Sequence, residues 1–263
     1  MITQKIFAVL KKDAITALRY HNGFVLTAAA QAAQLATFYY LARAVGPQFR
    51  PEGMPYFLFL LVGTGFYAFL LTGIHNFLRA IQESQQTGTL EVLLTSSTSE
   101  PVLVALNAIS AFGQGMLQLL VYVSVGFFFF ASALHANLGA CLVVFTLSIL
   151  SAFAAGLFAA GLQIYIHKGS AIMWLLGSCA WLMSGTLFPI TALPRAARVV
   201  SFCIPFTHSL TGMRLALLGG NAASLAGEIG ILAFFSLLLV PAGVIFFSWT
   251  VRQARLNGTL SFY

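Results

Sequence analysis

The chain has 263 residues, 59% of them hydrophobic and 7% charged, and carries a net charge of +7. A soluble domain has about 25% charged residues, so this chain has too few to cover a surface facing water. Between Glu100 and Lys168 no Asp, Glu, Lys or Arg occurs at all, whereas one bilayer-spanning helix takes only about 20 apolar residues. The composition therefore predicts a polytopic membrane protein. Lipid offers no hydrogen-bond partners, which leaves helices or closed barrels. A barrel shows alternating segments of about 10 residues, but apolar runs such as 117–134 are long and unbroken. The expected class is all-α. The basic excess reads as an orientation signal rather than a nucleic-acid surface.

Along residues 1–20, Ile2, Ile6, Leu10, Ala14, Ala17 and Leu18 recur at helical spacing, with basic residues on other faces. This predicts an amphipathic helix lying at the membrane surface and carrying Lys5, Lys11, Lys12 and Arg19. The same charges break up any signal-peptide core. Six spans are then expected, at about 23–42, 54–78, 102–131, 140–166, 170–188 and 229–249. Arg43, Gly46, Pro47, Arg50 and Pro51 make the first loop, and Arg79 can snorkel from the end of the second span. A tight turn is expected at 135–139. With neither a repeat nor a linker evident, residues 1–263 read as one membrane domain.

Six spans place both termini on one side. With the N-terminus inside, Lys5, Lys11, Lys12, Arg19, Arg79, Lys168, Arg252 and Arg255 are cytoplasmic. Arg43, Arg50, Arg195, Arg198 and Arg214 are outside, a smaller share that favours this orientation.

Catalysis or ion coupling within a membrane needs ionisable groups at depth, and these are costly enough to be informative. Here the sole Asp is Asp13, and every Glu falls in a loop or at a span end. His21, His75, His135, His167 and His208 are scattered, and Cys141, Cys179 and Cys203 lack metal-ligand spacing. No catalytic residue and no metal site is predicted. His75 and Asn76, near the cytoplasmic end of the second span, are the best buried polar candidates for a transport pathway. Hydrogen bonding between helices is the plainer reading of both. A transporter with no ion relay of its own needs an external motor.

Two segments stand out. In the loop at 82–96, Glu83, Gly88, Thr89, Leu90, Glu91, Leu93 and Leu94 read as a short helix broken by glycine, with its leucines on one face. An apolar strip flanked by acids suits a groove on a partner; a solvated connector is the plainer alternative. In the stretch 184–220, Pro194 fits the first turn of one short helix. Thr207 can cap a second helix, which Gly219 and Gly220 would end. Two amphipathic helices at 190–220, too brief to span, would dip into the outer leaflet as a lid or simply close the bundle.

These residues resemble the ABC-2 family of exporter permeases. The family's Glu–x4–Gly-Thr-Leu-Glu–x–Leu-Leu pattern appears as Glu83, Gly88, Thr89, Leu90, Glu91, Leu93 and Leu94. Its later pattern appears as Gly185, Phe188, Pro189, Leu193, Pro194, Pro205, Thr207, Arg214 and Gly219. The resemblance covers essentially the whole chain. It implies that residues 83–94 are a coupling helix seated on a nucleotide-binding ATPase subunit, present in two copies. It also implies an extracellular gate at 185–214, and a second permease that is either a copy, making a homodimer, or a homologue. ATP and Mg would lie on the ATPase, since this chain has no GxxxxGK[ST] sequence. An amphipathic substrate (a lipid, a lipid-linked glycan or a drug-like molecule) would be exported across a bacterial inner membrane. An ion-coupled secondary transporter is the alternative, and it would require embedded acids or paired broken helices.

Overall fold

The computed structural model describes residues 21–87, 100–130, 136–166, 169–219 and 222–257. Among these residues the architecture is all-helical. The helices are α1 (His21–Val45), α2 (Tyr56–Gln86), α3 (Glu100–Phe130) and α4 (Leu138–Ile166). They are followed by α5 (Gly169–Met183), α6 (Arg195–Phe202), α7 (Pro205–Leu218) and α8 (Ala222–Asn257). The expected surface helix at 1–20, with Lys5, Lys11, Lys12 and Arg19, lies outside the described residues.

Three helices, α2, α4 and α8, are long and apolar enough to cross a membrane by length and composition. They differ in what surrounds them. The most apolar stretch of α2 is 78% buried inside the protein, against 39% in α4 and 17% in α8. Thus α2 is the central post, and α8 offers most of its apolar surface outward, toward lipid. The ring of neighbours around α2 comprises α1, α3, α4, α5 and α7.

Small residues set how closely those neighbours approach, as in membrane bundles generally. A Cβ at Gly73 would lie 2.3 Å from the Phe112 ring of α3, so only glycine admits that contact. Stacked and tilted rings of Phe66, Phe69, Phe112 and Phe145 fill the space between α2, α3 and α4. The α4–α8 seam is polar in part: the Ser151 and Ser236 hydroxyls lie 3.1 Å apart, and Ser236 donates to the Leu147 carbonyl at 3.1 Å. Pro241 sits inside α8 without ending it, as membrane helices tolerate.

Four boundaries depart widely from the sequence expectation, two of them those of the last span, expected at 229–249, where α8 runs from Ala222 to Asn257. The second span does not stop near Leu78, because α2 continues to Gln86 and is capped at Thr87. The fifth span, expected to reach Phe188, stops at Met183. There the chain turns through Gly185 at φ +76, a left-handed conformation that side chains disfavour. At 15 residues, α5 rises only about 22 Å, less than the roughly 30 Å hydrocarbon core.

Candidate functional site

One site is a groove of about 590 Å³ along one flank of α2, faced by α5 and by Gln34 of α1. Thr64, Tyr67 and His75 reach it from α2, and Trp174, Ser178 and Trp181 from α5. Its back is fixed by Tyr67, whose hydroxyl donates to the Gly177 carbonyl at 2.6 Å. Gln34 is held in turn, accepting at 2.8 Å from the Tyr122 hydroxyl of α3. The walls are thus aromatic with a few neutral hydrogen-bonding groups, the usual character of a small-molecule site.

The two candidate pathway residues part company. His75 is exposed rather than buried as expected, and lines the groove. Asn76 turns the other way and donates to the Ala111 carbonyl of α3 at 3.3 Å, so it joins helices.

The second site is a closure at one end of the bundle, formed by residues 184–219. Residues 190–192 make one 3-10 turn, and α6 and α7 follow. Pro194 is the N-cap residue of α6. Arg198 donates to the carbonyls of Thr191 and Leu193, at 2.6 and 3.2 Å, and folds the strap that holds Pro189 back on α6. Tyr56 at the head of α2 donates to the Leu187 carbonyl at 3.0 Å, next to Phe188. Gly219 ends α7 in the left-handed conformation, φ 65, as expected for a C-terminal glycine. Val199, Val200 and Phe202 of α6 are exposed apolar residues.

Thr207 does not cap α7. Ile204 is the N-cap residue and Pro205 occupies the first turn, so one orphan donor is already absent. The Thr207 hydroxyl is instead buried 3.3 Å from that of Ser201, which donates to the Met183 carbonyl at 2.8 Å. The hydroxyls tie α7 to α6 and to the end of α5.

Arg214 is the centre of this closure and is 1% exposed. Its Nη2 donates to the Gly185 carbonyl at 2.8 Å and the Phe59 carbonyl at 3.3 Å. Its Nη1 lies 3.7 Å from the carboxylate of Glu52 in the α1–α2 loop. The guanidinium therefore joins that loop, α2, the Gly185 turn and α7. Burial lowers its pKa to about 10, while Glu52 opposes the shift, and it remains charged at neutral pH. Burial raises the Glu52 carboxyl above its usual range, Arg214 pulls it down and Glu228 pushes it up.

A family model described as ABC-2 family transporter protein matches residues 19–245. The chain belongs to the ABC-2 transporter family. No curated protein matches it. An ABC-2 permease is a membrane subunit that is not itself the ATPase, and the family implies pairing with an ABC ATPase subunit.

At the other end of the permease, Glu83 occupies the last turn of α2 rather than a separate short helix. Its carbonyl accepts from the Thr87 backbone N–H at 3.0 Å and from the Thr87 hydroxyl at 2.7 Å. Gly88, Thr89, Leu90, Glu91, Leu93 and Leu94 lie outside the described residues.

Sequence reasoning missed three residues of this closure: Glu52, His208 and Glu228. His208 is 3% exposed and contacts Glu228 at 2.7 Å. Glu52 has φ 53, the one non-glycine residue with positive φ among those described. The signal that could have found them is scarcity, because few acids exist in the chain and each one near the membrane needs a partner.

Proposed function

We propose that this ABC-2 permease is the membrane subunit of an ATP-driven exporter, and that the groove between α2 and α5 is its half of the path. The observation that carries the reading is the groove itself: a flank of the otherwise buried central helix left open and lined by Thr64, His75, Trp174 and Trp181. A second permease placed against this flank would complete a channel from two such grooves. The aromatic and neutral lining suits an amphipathic substrate.

In this reading the chain crosses the membrane six times, with both termini in the cytoplasm of a bacterial cell. Helices α1 and α3 and the short α5 add to the three long apolar helices. The arginines of residues 195–214 then face outward, and the larger share of basic residues faces inward. Residues 83–94 seat on a nucleotide-binding subunit that carries ATP and Mg, two copies serving two permeases. Closure of the motors tilts α2 and opens the groove alternately to either side. Arg214 and the α6–α7 pair hold the outer end shut between turnovers.

The test is purification of the tagged chain in mild detergent from its native host, followed by reconstitution into vesicles with whatever co-purifies. An ATPase subunit that accompanies the permease, with ATP-dependent movement of a fluorescent amphipathic dye that His75→Trp blocks, is the expected result. Movement driven by a proton or sodium gradient without ATP would overturn the exporter reading in favour of an ion-coupled carrier.

A further inference from the structure

Two ionisable side chains on α7 are buried, and each meets an acid from a different element. Arg214 meets Glu52 of the α1–α2 loop. His208, two turns earlier, meets Glu228 near the start of α8. The arginine stays charged across the physiological range, but a histidine need not.

The surroundings of His208 decide its charge. Nδ1 lies 2.7 Å from Oε2 of Glu228, and Nε2 lies 2.9 Å from the carbonyl oxygen of Phe202, at the end of α6. A neutral imidazole has one N–H and one lone pair, so it can satisfy only one of two acceptors. Facing both, the ring needs two N–H groups. The other assignment puts the second proton on Glu228, donating to Nδ1, but a carboxylate is the weaker base by about 2 pKa units. The proton belongs to the ring. Phe202 and Phe235 flank the ring, at centroid distances of 6.0 and 5.9 Å, so the imidazole is buried while Glu228 stays partly exposed.

We propose that His208 and Glu228 are positioning residues of the outer closure, a catch in which a protonated His208 ties α7 to both α6 and α8. Loss of that proton turns one of the two contacts into lone pair against lone pair, and α7 is freed on its N-terminal side while Arg214 still holds the other. The part this catch plays in transport rests on the exporter reading; its chemistry does not.

The titratable and charged groups on the surrounding elements are few. Glu228 stands on α8, Cys141 on α4 and Tyr67 on α2; Arg195 and Arg198 belong to α6, with Cys203 just after it. Glu52 lies in the α1–α2 loop and Arg214 on α7 itself, while Arg252 and Arg255 of α8, Tyr165 of α4, and Tyr56, His75, Arg79 and Glu83 of α2 stand elsewhere on the same elements. Among the described residues Glu228 is the one that pairs with the ring. Burial alone would lower the pKa of His208, but the Glu228 and Phe202 hydrogen bonds and the Glu228 charge outweigh it, and the pKa is raised above 6.5. The sign follows. The catch is fully made below pH 6.5, the unfolded value, and is lost as pH rises through the higher folded value.

The experiment uses the full chain, labelled with 15N-histidine and placed in liposomes. Solid-state NMR recorded from about pH 6 to 9 should show one ring that keeps both protons to a higher pH than an unfolded histidine. Its signal should be absent in His208→Asn, and the ring should lose its second proton at lower pH in Glu228→Gln. A wild-type chain in which no ring holds its second proton above the unfolded value, or one in which such a ring survives both substitutions, would overturn the proposal. Glu228→Gln keeps the shape of the side chain and so assigns the signal even where His208→Asn fails to fold. Gating is read separately, by maleimide labelling of Ser209→Cys in a chain whose three native cysteines are serine. Its rate, relative to the unfolded chain at the same pH, should rise about tenfold between pH 6.5 and 9. In Glu228→Gln it should be high at every pH, and Glu228→Asp should restore part of the protection. A labelling ratio independent of pH in the parent would show that the proton does not hold α7. Neither readout requires the ATPase, so failure here is distinct from failure of the exporter reading.

Discussion

The guanidinium carbon of Arg214 lies 3.5 Å from the centre of the Phe59 ring, and its Nη2 donates to the carbonyl of the same residue. One side chain thus grips both the face of a ring and the backbone of the central helix. Cation–π contacts of this kind strengthen when desolvated, to about 2 kcal/mol or more.

Replacing Arg214 by Met should destabilise the permease by about 3 kcal/mol, since it removes the donor to the Gly185 carbonyl and the ring contact with Phe59 and leaves Glu52 unpaired. Arg214→Lys keeps the charge but cannot span both acceptors, so its loss should be smaller, about 1–2 kcal/mol. Thermal unfolding in detergent reads both. Equal stability of Arg214→Met and wild type would mean that burial of the charge cancels its contacts.

Gly73→Ala places a methyl where the Phe112 ring stands. The expected destabilisation is about 1–3 kcal/mol, and Phe112→Leu in the same chain should recover most of it. A double-mutant cycle with no coupling between the two positions would contradict the close approach of α2 and α3.

His75 and Asn76 are neighbours with opposite expectations. His75→Ala should lower transport several-fold and leave thermal stability unchanged, because the side chain faces the groove. Asn76→Ala should do the reverse, losing about 0.6 kcal/mol, the average for hydrogen bonds between membrane helices. Transport measured in vesicles alongside unfolding separates the two.

In the proposed coupling segment, Glu91→Ala or Gly88→Leu should reduce the ATPase recovered with the permease, without altering membrane insertion. Unchanged recovery and unchanged transport would remove the coupling assignment from residues 83–94.

Sidedness is best read at Arg195, which is exposed, whereas Arg198 is engaged with two carbonyls. An Arg195→Cys chain lacking its native cysteines should react with an impermeant maleimide added outside intact cells. Reaction only after the membrane is opened would invert the topology.

Much of this fold was legible in the sequence because one preference dominates it. Unbroken apolar runs such as 140–166 have a single low-energy arrangement in lipid, and α4 begins and ends within two residues of that range. The boundary at Phe188 was misjudged because Leu187 and Phe188 continue the apolar run, whereas Gly185 acts through backbone conformation. The Thr207 hydroxyl was assigned to a local cap and is used across helices, which no local pattern records. His75 was placed in the pathway on polarity alone and does line the groove, but Asn76, equally polar, does not. The pairs Glu52–Arg214 and His208–Glu228 were invisible because charge pairing between distant segments leaves no spacing to read.

Helix α2 runs as 31 residues from Tyr56 to Gln86, a rod about 46 Å long with no proline after its cap. Arg214 and Phe59 clamp it near one end, and Glu83 stands in its last turn at the other. Such a rod behaves as a lever rather than a chain of joints. A tilt of about 10° imposed at Glu83 displaces the far end by about 8 Å, by the same rise per residue. A displacement applied at one end is therefore scaled by helix length, and its timing is set by how firmly the other end is gripped.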